Sequence, residues 1–135
     1  MAFVKRSVPQ NPITLHSISY WNDGLDQLRK RYEEIWDCDA ADGLQGSFWV
    51  GAFWGDELVG ALGYFDSQVR AITCVLSGSG RRGIIACYVL MNWVADTTPV
   101  GLRVAGNVLA NNTTQRRLLE QYGGQVHSLV YVAER

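Results

Sequence analysis

The chain has 135 residues, of which 47% are hydrophobic and 19% are charged, and this composition is typical of a soluble globular protein with one buried core. Its formal net charge of -1 excludes the global basic field that draws proteins to nucleic acid or anionic lipid. No apolar run approaches the roughly 18 residues of a membrane span, and the N-terminus lacks the apolar region of a signal peptide. The three scattered cysteines fit neither a disulfide framework nor a metal site, so we predict one cytoplasmic domain with reduced thiols and no metal.

The beginning of the chain predicts an extended lead-in followed by a strand and a helix. Prolines at positions 9 and 12 mark residues 1–12 as the lead-in, so the domain is expected to span residues 13–135. Residues 13–18 alternate between apolar and polar, which is typical of a half-buried strand. Ser19 then stands where it can cap an amphipathic helix over residues 20–36, whose apolar residues recur at helical spacing.

An acidic, glycine-containing loop separates this first part from a sheet-forming region. Apolar and aromatic runs with short turns between them predict strands, and the third of these is expected to be central because both of its faces are apolar. The later part predicts two helices and two further strands. The predicted strands are residues 48–54, 58–65, 69–76, 100–105 and 125–132, and the predicted helices are residues 83–95 and 112–122. This order of elements indicates an α+β fold with a mixed sheet.

Two segments carry a resemblance to a known family. A glycine- and arginine-containing loop at residues 77–83 joins the central strand to a buried helix, and an Asn-led helix ends in glycine before the last strand. Over about residues 13–133 this arrangement resembles the GNAT superfamily of N-acetyltransferases. The resemblance implies a single-domain acyl-CoA N-acyltransferase fold, with a central mixed sheet flanked by helices. It also implies two parallel strands on either side of the loop that splay apart and leave a gap for ligand, side chains or a partner.

The resemblance also implies a set of site residues. In the family, an Arg/Gln-x-x-Gly-x-Gly/Ala loop holds the pyrophosphate of acetyl-CoA with backbone N–H groups at a helix N-terminus. If this chain retains the cofactor, acetyl-CoA would be bound by Leu76, Ser77, Ser79, Gly80, Arg81, Arg82, Gly83 and Asn112. Asp66, at a hairpin turn, is the one weak candidate for a catalytic base.

Three positions depart from the family pattern. Gly80 stands where the family has Arg or Gln, and Ile85 stands where it has Gly or Ala. Leu119 replaces the tyrosine that often protonates the departing thiolate, and Tyr122, three residues later, is predicted to face elsewhere on the helix. These departures favour a protein that binds no cofactor. We further predict that the side chain of Ile85 faces the space where pyrophosphate would lie.

Two functional hypotheses follow. The Leu-Ser-Gly loop entrance, together with Leu119 before a Gly-Gly pair, is similar to the acetyltransferase-like internal virion proteins of short-tailed bacteriophages. That resemblance implies a structural component of a phage particle, made in the host cytoplasm and then packaged, with other virion proteins or its own copies as partners. The alternative is an active cytoplasmic N-acetyltransferase that transfers acetyl from acetyl-CoA to an amine. The sequence favours the virion protein.

Simpler interpretations exist for the same residues. The loop around Gly80 is also compatible with an ordinary strand-to-helix turn, since a lone glycine-rich loop is weak evidence. Cys74 lies on the strand beside the expected gap, but a buried thiol without a base stays protonated, so we predict a core residue. His16 and His127 lie in predicted strands without an orienting carboxylate, so structural roles are predicted for both.

Overall fold

The computed structural model describes residues 3–38, 45–108 and 111–125. These residues form five strands and three helices, numbered separately in chain order. They are β1 (Ile13–Ile18), α1 (Asp23–Trp36), β2 (Phe48–Trp54), β3 (Glu57–Asp66), β4 (Val69–Ser77), α2 (Gly80–Thr97), β5 (Arg103–Gly106) and α3 (Thr113–Gln121). The strand predicted at residues 125–132 lies almost wholly outside the described residues, and so does His127.

The five strands form one sheet in the order β1-β2-β3-β4-β5. The first four are antiparallel neighbours: α1 lies between β1 and β2 in the chain, and short turns join β2 to β3 and β3 to β4. By contrast, β4 and β5 are parallel. A parallel pair requires a crossover, and α2 supplies it. The α+β class, the mixed sheet and the parallel strands on either side of the loop are therefore confirmed, and β4 has a neighbour on each side as predicted.

Helices cover both faces of the sheet. The first core cluster lies where α2 and α3 pack on one face, and the second lies where α1 packs on the other. Fully buried members of the first cluster include Leu62, Leu90, Met91 and Val94, and those of the second include Ala61 and Leu76. Burial on both faces explains why β2, β3 and β4 read as continuous apolar runs rather than alternating ones.

The structure corrects the start of the first helix. Ser19 is not its N-cap; its hydroxyl accepts a hydrogen bond from the backbone N–H of Trp21. The cap is Asn22, whose Oδ1 accepts from Gly24 N at 2.9 Å and Leu25 N at 3.2 Å. The side chains of Ser19 and Asn22 each accept hydrogen bonds from nearby backbone N–H groups. Because Ser and Asn are both good N-caps, the sequence alone could not show which of the two begins the helix.

The starts of α2 and β5 also differ from the predicted ones. The helix predicted at residues 83–95 begins earlier, at Gly80, so that the basic part of the loop forms its first turn. The strand predicted at residues 100–105 begins later, at Arg103, because the preceding residues form a turn. In that turn Leu102 N donates to the Pro99 carbonyl at 3.1 Å, and Gly101 has a φ of 90°, which favours glycine.

The lead-in is tied to the helices by specific contacts. Asn92 of α2 accepts a hydrogen bond from the Arg6 backbone N–H and donates one to its carbonyl. Phe3 stacks on Tyr122 with ring centroids 5.3 Å apart, and Lys5 pairs with Asp96 at 3.1 Å. The lead-in therefore fastens α2 to the end of α3.

None of the helices in the described ranges is both long enough and apolar enough to cross a bilayer.

Candidate functional site

The structure has a gap between β4 and β5. The two strands pair only from Val69 opposite Arg103 to Ile72 opposite Gly106. Beyond this point β4 continues to Ser77, and within the described ranges residues 73–77 have no partner in β5. The gap therefore opens toward the end of β4, where the chain enters α2.

A β-bulge lies where the pairing with β5 stops. Gly63 is opposite Cys74 and Tyr64 is opposite Ile72, so Thr73 is the extra residue on β4. Its hydroxyl lies 2.7 Å from the hydroxyl of Ser47. A bulge bends its strand and increases the local twist, and this one coincides with the end of the pairing between β4 and β5.

The loop between β4 and α2 is held from three sides. Gly78 N donates to the Val59 carbonyl at 2.9 Å, and Arg31 of α1 donates to the Ser77 carbonyl at 3.2 Å. A Cβ at Gly83 would lie 2.0 Å from the Gly78 carbonyl oxygen, so the first turn of α2 touches the loop backbone directly. The loop has one fixed course, and that course requires glycine at position 83.

The N-terminus of α2 favours a negatively charged group. The side chain of the N-cap residue, Ser79, makes no capping hydrogen bond to the helix, and the first turn contains no acidic residue. Its first N–H groups have no acceptor within the helix, and the helix dipole adds positive potential. Arg81 and Arg82 are exposed beside it, and Arg82 also stacks over Trp54 at 4.9 Å and lies 3.4 Å from Glu57. Phosphate groups are suited to such a terminus.

The residues predicted for cofactor binding are only partly brought together. The loop and first-turn residues surround the end of β4, with Gly80 in a left-handed conformation at φ 74°. Leu76 has a fully buried side chain that packs toward α1, so only its backbone can take part. Asn112 lies at the start of α3, on the other side of the gap.

Ile85 does not face an open ligand space, so that prediction is wrong. Its side chain is only 5% exposed, whereas the neighbouring Ile84 is 61% exposed. Ile85 belongs to neither core cluster, and at 100° per residue it lies on the side of α2 away from Gly83 and Leu90. An isoleucine in place of the family's small residue is therefore accommodated inside the protein.

A chain of hydrogen bonds links the start of α3 to α1, next to Cys74 in the part of β4 beyond its pairing with β5. The Oδ1 of Asn112 accepts from Gln115 N at 3.0 Å, and its Nδ2 donates to Gln115 Oε1 at 3.1 Å. The same Nδ2 donates to the hydroxyl of Tyr32 on α1 at 3.4 Å. Asn112 is only 2% exposed and Gln115 only 7%. We call these three residues the gap cluster; every polar group of the Asn112 side chain is used within it.

Cys74 on β4 lies beside the gap cluster. Burial raises the pKa of the Cys74 thiol to about 12, and the Tyr32 hydroxyl, with which it interacts, offsets this only in part. Burial likewise raises the pKa of Tyr32 to about 12. Both groups are therefore protonated and neutral near pH 7, which makes Cys74 a poor nucleophile, as predicted.

Tyr122 is committed to a structural contact. It is 1% exposed, and its hydroxyl lies 2.8 Å from Asn92 Oδ1 and 3.1 Å from the Tyr88 carbonyl oxygen. Burial raises its pKa to about 12. Leu119, at the family's tyrosine position, packs against the first core cluster. Tyr122 thus faces α2 and does not replace the missing phenol.

Asp66 is paired rather than free. Both of its oxygens accept from the Arg70 guanidinium, at 2.8 and 2.9 Å. Hydrogen bonding to Arg70 lowers the pKa of Asp66 below its usual value, which makes it a weaker base. The pair stands where β3 turns into β4, at the end of β4 opposite to the loop. The geometry therefore gives no support to Asp66 as a catalytic base.

Tyr32 and Gln115 were missed by sequence reasoning. Tyr32 matches the apolar spacing of α1 and is indistinguishable from a core residue by pattern. Gln115 had a local signal, because it occupies the alanine position of the family's Asn-x-x-Ala-x-x-x-Tyr segment when Leu119 is aligned with the tyrosine. A long polar side chain in place of alanine indicates that it fills space near Asn112.

A separate cavity of about 260 Å³ lies between the start of α1 and the sheet. Trp49, Arg29 and Leu76 are among its lining residues. The indole N–H of Trp49 is buried and has no hydrogen-bond partner within the described part of the chain. Among the described residues no group of three or more His, Cys, Asp or Glu side chains is placed to hold a metal ion.

Comparisons with known proteins identify the fold. No family model matches the sequence, and no curated protein matches it. Among solved structures, the chain is similar to a ribosomal-protein-alanine N-acetyltransferase from Brucella melitensis biovar Abortus 2308, with 16% identity and a TM-score of 0.64 over 91% of this chain and 99% of that one. A possible acetyltransferase from Clostridium difficile 630 has 14% identity and a TM-score of 0.61 over 91% and 97% of the two chains.

A third similar structure contains coenzyme A. It is the diaminobutyrate acetyltransferase of Paenibacillus lautus, in complex with its substrate and coenzyme A. It has 19% identity and a TM-score of 0.59 over 84% of this chain and 75% of that one. Identities this low establish architecture alone: the chain has the GNAT acyl-CoA N-acyltransferase fold in one domain.

Proposed function

We propose that the chain is a non-catalytic protein built on the GNAT fold, and that it serves as a structural component of a bacteriophage particle. The gap cluster is the observation that supports a non-catalytic protein. A gap between splayed strands has to be filled by ligand, side chains or a partner. We infer that Tyr32, Asn112 and Gln115 occupy it with their side chains, because these residues satisfy one another's hydrogen bonds beside the part of β4 beyond its pairing with β5.

The energetics of the gap cluster support this proposal. Asn112 and Gln115 are buried, so a ligand that broke their mutual hydrogen bonds would have to replace each of them or leave polar groups unsatisfied. An unsatisfied buried polar group costs about 1–3 kcal/mol. Acetyl-CoA entering the gap would face this cost before gaining any contact there, and this disfavours binding.

The residues expected to act as catalytic acid or base also support a non-catalytic protein. Leu119 offers no hydroxyl at the family's tyrosine position, and the hydroxyl of Tyr122 is bonded to α2. Asp66 is paired with Arg70. Acetyl transfer to an amine needs a base for the amine and an acid for the thiolate, and none of these three residues serves either step.

The virion role rests on the sequence resemblance. Two segments carry this resemblance: the Leu-Ser-Gly entrance of the loop, and the helix in which Leu119 precedes Gly123 and Gly124. Mass spectrometry of purified particles is the direct test: we expect the protein in the particle, in the company of other virion proteins. Its absence from particles, or a gene outside any phage or prophage, would contradict the virion role and leave the non-catalytic fold to be tested separately.

Removing the side chains of Tyr32 and Gln115 tests whether they exclude acetyl-CoA from the gap. We expect the double variant Tyr32→Ala with Gln115→Ala to bind acetyl-CoA measurably at about 1 mM ligand, and we expect the wild type to show no binding at that concentration. The two alanines remove the side chains that fill the gap and free the amide of Asn112. Isothermal titration calorimetry measures the difference, with circular dichroism to show that the variant is folded.

Tyr32→Phe is the matched control, because it deletes the hydroxyl but keeps the ring in the gap. We expect it to bind no acetyl-CoA. A folded double variant that remains unable to bind would show that side-chain closure is not what excludes the cofactor.

An acetyl-CoA-dependent N-acetyltransferase acting on an amine is the second candidate, and the N-terminus of α2 favours it. An uncapped terminus between exposed Arg81 and Arg82 suits a pyrophosphate, which Ser79 to Gly83 would hold with backbone N–H groups. The bound cofactor would supply an activated acetyl thioester. The phosphate end of the site fits the cofactor, whereas the filled gap does not. Release of free thiol from acetyl-CoA with a panel of amines would establish this candidate.

A further inference from the structure

β1 is an edge strand with unusual composition. It pairs only with β2, and no other backbone hydrogen bond to it is found among the described residues. Its six residues, Ile13–Ile18, include no charge and no proline, and its pairing with β2 shows no bulge. Natural edge strands usually carry such features because unpaired N–H and C=O groups attract other strands.

The lead-in does not cover this edge. Arg6 is hydrogen-bonded to Asn92 of α2, so the segment begins on the helix layer. The contact nearest to β1 is local: Asn11 Oδ1 accepts from Ile13 N at 3.0 Å. Considering the described residues alone, most of the outer edge of β1 is therefore available to another strand.

The strand is complementary to itself. Two copies related by a two-fold axis through Leu15 would place Leu15 opposite Leu15, Ile13 opposite Ser17 and Thr14 opposite His16. In each of these pairs both residues lie on the same face of the strand, as antiparallel pairing requires. No pair brings like charges together, which is the usual obstacle to pairing identical strands.

The side chains of β1 also gain from such pairing. Ile13 and Leu15 are only partly buried and already pack against the first core cluster. Pairing would extend the sheet across both copies and place the α2 layers on the same side, with these apolar side chains adjacent at the junction. Main-chain hydrogen bonds give such strand addition its affinity, and the alternating side chains give its specificity.

We infer that β1 binds β1 of a second copy of this chain, in antiparallel register centred on Leu15, to form a dimer with one continuous sheet. This interface is distinct from the gap and does not depend on whether the gap binds acetyl-CoA. It provides the self-association that a structural component of an assembly needs.

Sedimentation equilibrium of the full chain tests the inference. We expect the wild type to have the mass of a dimer and the double variant Thr14→Lys with His16→Lys to have the mass of a monomer. Both positions are exposed, and the proposed register brings each lysine opposite another. Thr14→Gln with His16→Gln is the control, since it changes the same side chains without charge, and it should remain a dimer. Circular dichroism checks that the lysine variant is folded.

Disulfide trapping tests the register. Thr14 lies opposite His16 of the second copy, so Thr14→Cys with His16→Cys should give a dimer on a non-reducing gel, whereas either substitution alone should not. A wild type that is monomeric at every concentration would overturn the inference. A dimer that the lysine substitutions leave intact would also overturn it, and so would a chain that associates only with a different protein.

Discussion

Replacing Gly83 with alanine is expected to lower the free energy of unfolding by at least about 3 kcal/mol, because the new methyl group cannot be accommodated. Its Cβ would lie 2.0 Å from the carbonyl oxygen of Gly78 and 2.7 Å from the carbonyl carbon. The obstruction is backbone that Val59 already holds, so the start of α2 would have to move away from the sheet. Chemical denaturation measures the loss.

Two other glycines provide matched controls. Gly46→Ala should leave stability unchanged, since a Cβ there meets nothing within 4 Å. Gly80→Ala meets nothing either, but its φ of 74° is left-handed, so a loss of about 1 kcal/mol is expected. If Gly83→Ala lowered the free energy of unfolding no more than Gly80→Ala does, this would contradict the close contact between α2 and the loop.

Arg70→Ala is expected to cost about 3 kcal/mol, because the side chain is buried among several partners. Arg70 is 6% exposed, and its guanidinium lies 5.2 Å from the ring centroid of Tyr64 and 5.3 Å from that of Trp93. It also donates to Asp66 and Thr97. Truncation would leave a cavity between the two rings and remove the link between β4 and the end of α2.

Arg82→Ala is the matched control for Arg70→Ala. Arg82 also stacks on an aromatic ring and pairs with an acid, but its side chain is 55% exposed, so its loss should cost no more than about 0.5 kcal/mol. Equal effects of the two substitutions would show that burial of Arg70 adds nothing.

The pairing of Arg70 with Asp66 also predicts an acid dependence. Because the pKa of Asp66 is lowered in the folded protein, its contribution is present above the ordinary value of 3.8 and is lost as pH falls through the lowered value. Asp66→Asn should remove this part of the acid dependence, which denaturation at a series of pH values would measure.

The sequence predicted elements whose signals are local. β1 was found from the alternation in residues 13–18, and its bounds are the observed ones. An asparagine at position 111 or 112 was expected to cap α3, and the structure shows that Asn112 is the cap, with its side chain accepting from Gln115 N. Each signal depends on residues within one turn or strand, so no knowledge of the tertiary structure was needed.

The gap cluster could not be predicted in the same way. Tyr32 and Asn112 are 80 residues apart in sequence and meet only because α1 and α3 lie on either side of the gap. Ile85 was misplaced for a similar reason: a motif position specifies where a small residue stands in the family, and not where a larger side chain turns when it replaces one. The pairing of Asp66 with Arg70 spans a tight turn, and only the fold shows that the carboxylate is occupied.

Calorimetric titration of the wild-type protein with acetyl-CoA tests most directly whether the protein's own side chains close the gap. We expect no binding heat up to about 1 mM ligand, and no increase in thermal stability, because a ligand that binds only the folded state would raise it. Binding in the micromolar range, accompanied by thermal stabilisation, would contradict the account and favour the acetyltransferase.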